Sequence, residues 1–318
     1  MSSYLKKFIP HLVVLVLFVI AALAYFSPVL QNKVIFQSDI AQYQGMAKQL
    51  KDYRAAGDEI YWTDAAFGGM PTYQLGAKYP HNYIKKLDLT LRFLPRPADY
   101  LFLYFIGLYI LLLVLKLDYK LAFVGALAFG FSTYLIIILG VGHNAKAHAI
   151  AYMPLVLSGI LLTFRGKYVW GFLVTCIAMA LELVTNHFQM TYYLGLLVLC
   201  IGVAYLVDAF RKKMVPHYFK AVGVMLMAVI LAIGLNATNI LATKEYAATS
   251  TRGKTELTIN ADGTQKEIKE GLDYGYITEY SYGRLESLNL FIPRFMGGGS
   301  GDPLPDESAT VDALLRTG

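Results

Sequence analysis

Three short stretches carry side chains whose types and spacing could do chemistry. FQSDIAQYQ (36–44) sets Asp39 among Gln37, Ser38 and Gln42. GHNAKAH (142–148) carries His143, Lys146 and His148, and LELVTNHFQ (181–189) carries Glu182, Asn186, His187 and Gln189. Each lies at the end of an apolar run, and Arg252 and Glu256 open the polar tail beyond the last run. A carboxylate can accept a proton from an attacking hydroxyl. Lysine, arginine and histidine can stabilise developing negative charge, as on a phosphate. Ionisable groups in or beside hydrocarbon are costly and tend to face a cavity or a partner. If one helix ran on through 182–193, Glu182, Asn186, Gln189 and Tyr193, at i, i+4, i+7 and i+11, would share a face.

Each of these residues also has a plainer reading. Ser38 or Asp39 could cap a surface helix beginning at Ile40, a role compatible with chemistry. His143 and His148 could be interfacial histidines. Being five apart, they do not share a helix face as an i, i+4 pair does, so no metal site is assigned to them. Glu182 could be an internal hydrogen-bonding group. GGGSG (297–301) lacks the strand, helix and lysine of a phosphate loop, and flexible loop is its default reading.

The elements that must position these residues follow from composition. Of 318 residues 56% are hydrophobic and 16% charged, against about 25% charged in a typical soluble domain. Seven apolar segments, roughly 9–30, 98–116, 120–140, 147–164, 168–186, 189–209 and 219–242, approach the length that spans a bilayer as a helix. With the N-terminus cytoplasmic, the inside turns contain Lys6 and Lys7, Lys116 and Lys120, Arg165 and Lys167, and Arg211, Lys212 and Lys213. The short outside turns carry Lys146 alone, so the bias is consistent throughout. Ala22-Leu23-Ala24 resembles a signal-peptide cleavage site, but the first run extends to Leu30 and more spans follow, which favours an uncleaved helix. Lys and Arg sit at the ends of apolar runs, where topology and lipid headgroups account for the net charge of +6, so no nucleic-acid partner is expected. Cys176 and Cys200 lie inside apolar runs and form no metal or disulfide motif.

The expected domains are a membrane bundle over 1–243 and the start of an extracytoplasmic segment over 244–318, the front of a longer chain. The outer loop 31–97 should carry short surface helices joined by a Gly-Gly-Met-Pro turn. TELTINADGTQKEI (255–268) reads as a hairpin turning at Asp262-Gly263.

An aspartate after the first span, a long first outer loop and a bundle with its polar groups outside resemble the GT-C superfamily of membrane glycosyltransferases. More closely, the chain resembles the YfhO family of bacterial membrane proteins. That resemblance is carried by SDIAQYQ (38–44), Trp62 with FGGMPTY (67–73), GHNAKAHAIAYMPLVL (142–157), NHFQMTYY (186–193) and SLNLFIPRFMGGG (287–299). It implies an all-α polytopic fold, a GT-C-like bundle in the bacterial cytoplasmic membrane with its active side outside. It also implies inverting transfer of a sugar from a polyprenyl-phosphate donor to an envelope polymer, lipid or glycoprotein acceptor. Asp39 matches the acidic residue of the first outer loop, the candidate base. Gln42 would help hold the acceptor, and His143, Lys146, Glu182, Asn186, His187, Gln189 and Arg252 would bind substrate. No Asp-x-Asp or adjacent Asp-Glu follows Asp39, so a divalent metal is possible without being required. A transporter or flippase of a lipid-linked or anionic substrate, and a non-catalytic envelope-assembly scaffold, are the alternatives.

Overall fold

The computed structural model describes residues 3–250 and 274–296, together with 253, 259, 262–265, 272, 311, 315 and 316. The first helix, α1 (Ser3–Tyr25), leads through a 3-10 turn at Ser27–Gln31 into the outer loop. That loop holds α2 (Ser38–Met46), α3 (Lys48–Ala55), the strands β1 (Trp62–Thr63) and β2 (Met70–Pro71), and α4 (Tyr83–Leu91). Then come α5 (Ala98–Val114), α6 (Tyr119–Gly130), α7 (Thr133–Val141), α8 (Asn144–Phe164) and α9 (Tyr168–Leu183). They are followed by α10 (Phe188–Arg211), α11 (Val215–Leu235), α12 (Ala237–Ala248) and the short α13 (Tyr274–Thr278).

The chain is mostly helical, and α1, α8, α10 and α11 are long and apolar enough to cross a membrane. A fifth span results if α6 and α7, which meet at a 48° bend, are taken as one. The expectation of seven therefore exceeds what helix length supports. Helices α5 and α9 have 17 and 16 residues, short of the roughly 20 that a bilayer core requires. The segment expected over 219–242 divides at Asn236, whose amide donates to the carbonyls of Ala180 (3.0 Å) and Ala232 (3.1 Å). That break sends α12 off as a separate helix.

The centre of the bundle is α8, with two-thirds of its apolar window buried against less than a fifth for α1, α10 and α11. Small residues let α9 approach it closely. A methyl group on Gly159 would collide with Thr175, and one on Gly171 with Thr163, the close contact that small residues permit between membrane helices. Along the other flank, Phe18 of α1 stacks on Phe105 and Phe123 at 5.3 and 5.4 Å between ring centres.

The turns rich in Lys and Arg gather at one end of the bundle. Arg165 donates to the carbonyl of Val114, and His217 bonds both Tyr168 (2.6 Å) and the carbonyl of Phe164 (2.8 Å). The outer loop covers the opposite end, around its own small core of Ala47, Leu50, Met70 and Leu75. Within it, Gly-Gly-Met-Pro is only partly the turn expected. Met70 and Pro71 pair antiparallel with Thr63 and Trp62, and Gly69, at φ +123°, lies against the Trp62 ring. In the tail, Ile259 pairs with Gln265 around Asp262 and Gly263, in keeping with the expected hairpin.

Candidate functional site

Asp39 lies in the first turn of α2, after a helix start at Gln37 that makes no side-chain capping bond. The capping role is thereby overturned. The carboxylate instead meets His143, Nδ1 to Oδ2 2.8 Å, with both side chains 46% exposed. Gly142, at φ +93°, ends α7 in a left-handed turn that delivers His143 to the start of α8. A side chain there would also press within 2.9 Å of Gln37 Cβ. Gln37 closes the contact by donating to the carbonyl of Leu139 at 2.5 Å.

His187 stands on the turn between α9 and α10. Burial pushes its imidazole below the ordinary value, and the charges of Lys146 and His143 push it the same way. Two buried polar atoms at the starts of α10 and α8, His187 Nδ1 and Asn144 Oδ1, have no hydrogen-bond partner among the described residues. Buried polar atoms are rarely left so, and a ligand group or water would satisfy both.

On the other side of the same turn is a cleft of about 970 Å³, between the outer loop and the ends of α9 and α12. Asn186 lines it, beside Thr243 of α12 at 3.3 Å. Six cationic side chains line it as well, Arg54, Lys78, Lys85, Lys86, Arg92 and Arg96, against one carboxylate, Glu59. That carboxylate is already engaged by Arg54 at 2.5 and 2.8 Å, whose hydrogen bond holds it below the usual carboxylate range. Four tyrosines, Tyr43, Tyr61, Tyr73 and Tyr79, add ring faces, and Tyr61 and Tyr79 are stacked. Tyr43 lies one helical turn beyond Asp39 on α2, so the two Cβ atoms are about 5–6 Å apart. The lining can bind an anion and stack a sugar ring.

A second polar cluster lies beneath this cleft. Asp88 of α4 is fully buried, and its carboxylate accepts from Arg92 (3.0 and 3.2 Å), Lys85 (3.0 Å) and Tyr152 (3.0 Å) and contacts His148. Arg92 also reaches Asp99 at 3.2 Å. Every member has a partner, so the cluster locks α4 to α5 and α8. The sequence holds a signal for it in Asp99 at the start of an apolar run and in the i, i+4 pair of Asp88 and Arg92.

The structure pairs Asp39 with His143 and sets Asn186 in the cleft, with His187 on the turn between α9 and α10. Gln42 is exposed on α2, near Asp39 but outside the cleft lining. The shared face of Glu182, Asn186 and Gln189 does not form, because α9 stops at Leu183 and Asn186 turns at φ +58°. Glu182 is fully buried and accepts from Thr191 at 2.9 and 3.1 Å, a hydrogen-bonding group away from the cleft. Gln189 is exposed and donates to Tyr193 at 2.9 Å. Arg252 and GGGSG fall outside the described residues. Among those described, no three His, Cys, Asp or Glu side chains converge as a metal site requires. Comparison with protein-family models, with curated proteins and with solved structures found no match, and the functional reading rests on the geometry and the residues themselves.

Proposed function

We propose that this protein is a membrane glycosyltransferase that moves a sugar from a polyprenyl-phosphate donor to an envelope acceptor on the outer side of the cytoplasmic membrane. The observation that carries this reading is the cleft. Six cations line it, four of them already paired with Glu59, Asp88 or Asp99 while Lys78 and Lys86 carry no ion pair among the described residues, with tyrosine faces beside them, at the end of the bundle where Asp39 meets His143. The acceptor oxygen attacks the anomeric carbon from the face opposite the lipid phosphate. Its electron pair makes the new bond as the carbon–oxygen bond to phosphate breaks, and that pair leaves on the phosphate. A phosphate is a good leaving group, so the protein needs no second carboxyl to protonate it, as a glycosidase does. The cations of the cleft stabilise the charge it gains, and the Asp39–His143 pair receives the acceptor's proton. Tyrosine faces hold the sugar, and apolar helix surfaces accompany the lipid tail.

The test is transfer from a polyprenyl-phosphate sugar by the purified protein. Asp39→Asn should fold normally by thermal melt and lose on the order of 10²-fold or more in turnover. Near-normal turnover in folded Asp39→Asn protein would remove Asp39 from the chemistry. Replacing Lys78 and Lys86 together by alanine should raise KM for the donor about tenfold, roughly 1.4 kcal/mol, with little change in kcat. An unchanged KM would take the cleft out of donor binding.

A further inference from the structure

Resting on that reading, we infer that the wall of the cleft formed by the α9–α10 turn and α12 holds the donor's sugar, and that this sugar is uncharged. The cleft has two unlike walls. Every cation that lines it comes from the outer loop, between Arg54 and Arg96. The facing wall is Val184, Thr185, Asn186, Asn239 and Thr243, with no charged side chain among them. Amides and hydroxyls both donate and accept hydrogen bonds, as sugar hydroxyls require. At about 970 Å³ the cleft has room for a sugar and a phosphate together, since small-molecule sites run from about 300 to 1,000 Å³.

Two helix breaks build this wall. Because α9 stops at Leu183, the chain turns, and Asn186 takes the left-handed conformation, φ +58°, that asparagine tolerates. Because α11 ends at Leu235, α12 starts afresh and sets Asn239 and Thr243, four residues apart, on one face toward the cleft. The hydrogen bonds of these side chains are few and long. The half-buried Asn239 amide makes none among the described residues. Asn186 has only the Thr243 hydroxyl, at 3.3 and 3.4 Å, and that hydroxyl also accepts from Gln74 at 3.2 Å. Bonds longer than the usual, about 2.7–3.0 Å, yield readily to a ligand's hydroxyls. The Thr185 hydroxyl is buried without a partner among the described residues.

The same division of walls sets the class of sugar. Lys78 and Lys86, which carry no ion pair among the described residues, are left for the phosphate. Glu59 is held by Arg54, so an ammonium-bearing sugar would meet like charge and no free anion. A carboxylate-bearing sugar would set its charge against amides and hydroxyls alone, a costly placement without a counter-ion.

Equilibrium binding to the purified protein tests this without turnover. The reference probe is methyl polyprenyl phosphate, which keeps the charge of the phosphodiester and lacks the sugar. The others carry glucose, mannose, galactose or N-acetylglucosamine in place of methyl, or the charged glucosamine and glucuronic acid. At least one neutral sugar ester should bind about tenfold or more tighter than the methyl ester, the worth of a few hydrogen bonds, and tighter than both charged esters. Asn239→Ala should weaken that ester about three- to tenfold and leave the methyl ester unchanged. Its melting temperature should hold, since the side chain has no partner to lose. Lys78 and Lys86 replaced together by alanine should weaken both esters alike. The inference is overturned if no neutral sugar ester outbinds the methyl ester, if a charged ester binds best, or if folded Asn239→Ala binds both as wild type does. Phosphate binding, and with it the proposed transfer, would then still stand. The wild-type series needs no variant, so a variant that does not fold leaves that test intact. Failure of wild-type protein to bind any of the probes would overturn both.

Discussion

The segment GHNAKAH supplies two histidines, and each meets an aspartate of the outer loop, yet the two pairs are built in opposite ways. Asp88 has no exposed surface, and Lys85, Arg92, Tyr152 and His148 all contact its carboxylate. Asp39 is half exposed, and His143 is its one ion-pair partner among the described residues. The same pair of residue types is a lock when saturated and buried, and stays open to solvent when it stands at the surface. Five residues of one chain segment suffice to separate the roles. His148 lies in the second turn of α8 and points into the bundle, while His143 precedes the first turn and faces the loop.

The comparison breaks most readily at the buried pair. Asp88→Ala would leave Arg92 with Asp99 and the Tyr100 hydroxyl and strip His148 and Tyr152 of their acceptor. Breaking a buried ionic group by removing one partner costs about 3–5 kcal/mol, read as a lower melting temperature in detergent. A loss below about 1 kcal/mol would mean that water reaches the cluster. His148→Gln should cost less, about 1–3 kcal/mol, the penalty for one unsatisfied buried group, because Arg92 and Lys85 still hold the carboxylate.

Acid gives a third measure of the same pair. Burial pushes the Asp88 carboxyl up, but the His148 hydrogen bond, Lys85 and Arg92 outweigh it and hold it well below the usual carboxylate range. With its folded value below its unfolded one, its stabilisation is present above the ordinary carboxylate value, about 3.9. It is lost as pH falls through the still lower folded value. Melting temperature should therefore hold from neutral pH down to the carboxylate range and drop below it. Asp88→Asn protein, already less stable, should show a shallower drop. An equally steep drop in that variant would place the acid-sensitive group elsewhere.

How much of this was legible in the sequence depends on how local each feature is. Apolar length alone marked α1, α8, α10 and α11, and the basic turns do gather at one end. The polar Asn186 and His187 marked the turn between 168–186 and 189–209, and the structure places it there, but the break at Asn236 was not visible, because it has no proline and apolar residues run on through it. Glu182 shows the limit of the cost argument. A charge in an apolar run needs a partner, but Thr191 on the next helix satisfies it as well as a cavity would. The alternation of spans placed Asp39 and His143 on one side, while their contact depends on the left-handed turn at Gly142. The cleft is wholly tertiary. Its cations come from α3, α4 and the segments around them, and they face a common space only because the Asp88 cluster holds α4 against the bundle.

The smallest expected effect sharpens the comparison most. Double-mutant cycles on the two pairs, each aspartate and histidine to alanine singly and together, should give unlike coupling energies. For Asp39 and His143 the coupling should be about 1 kcal/mol or less, as for exposed pairs in general, and should shrink further as salt screens it. For Asp88 and His148, dry and multiply bonded, it should be larger and insensitive to salt. The reasoning runs through solvent. At 46% exposure each partner of the outer pair keeps much of its hydration, so folding gains little from the contact and loses little without it. A pair worth so little to stability, set at 2.8 Å beside Gly142 and Gln37, is the contact on which the proposed chemistry rests. Coupling of several kcal/mol at Asp39 and His143, unaffected by salt, would make it a second lock and withdraw the structural contrast on which its chemical role rests.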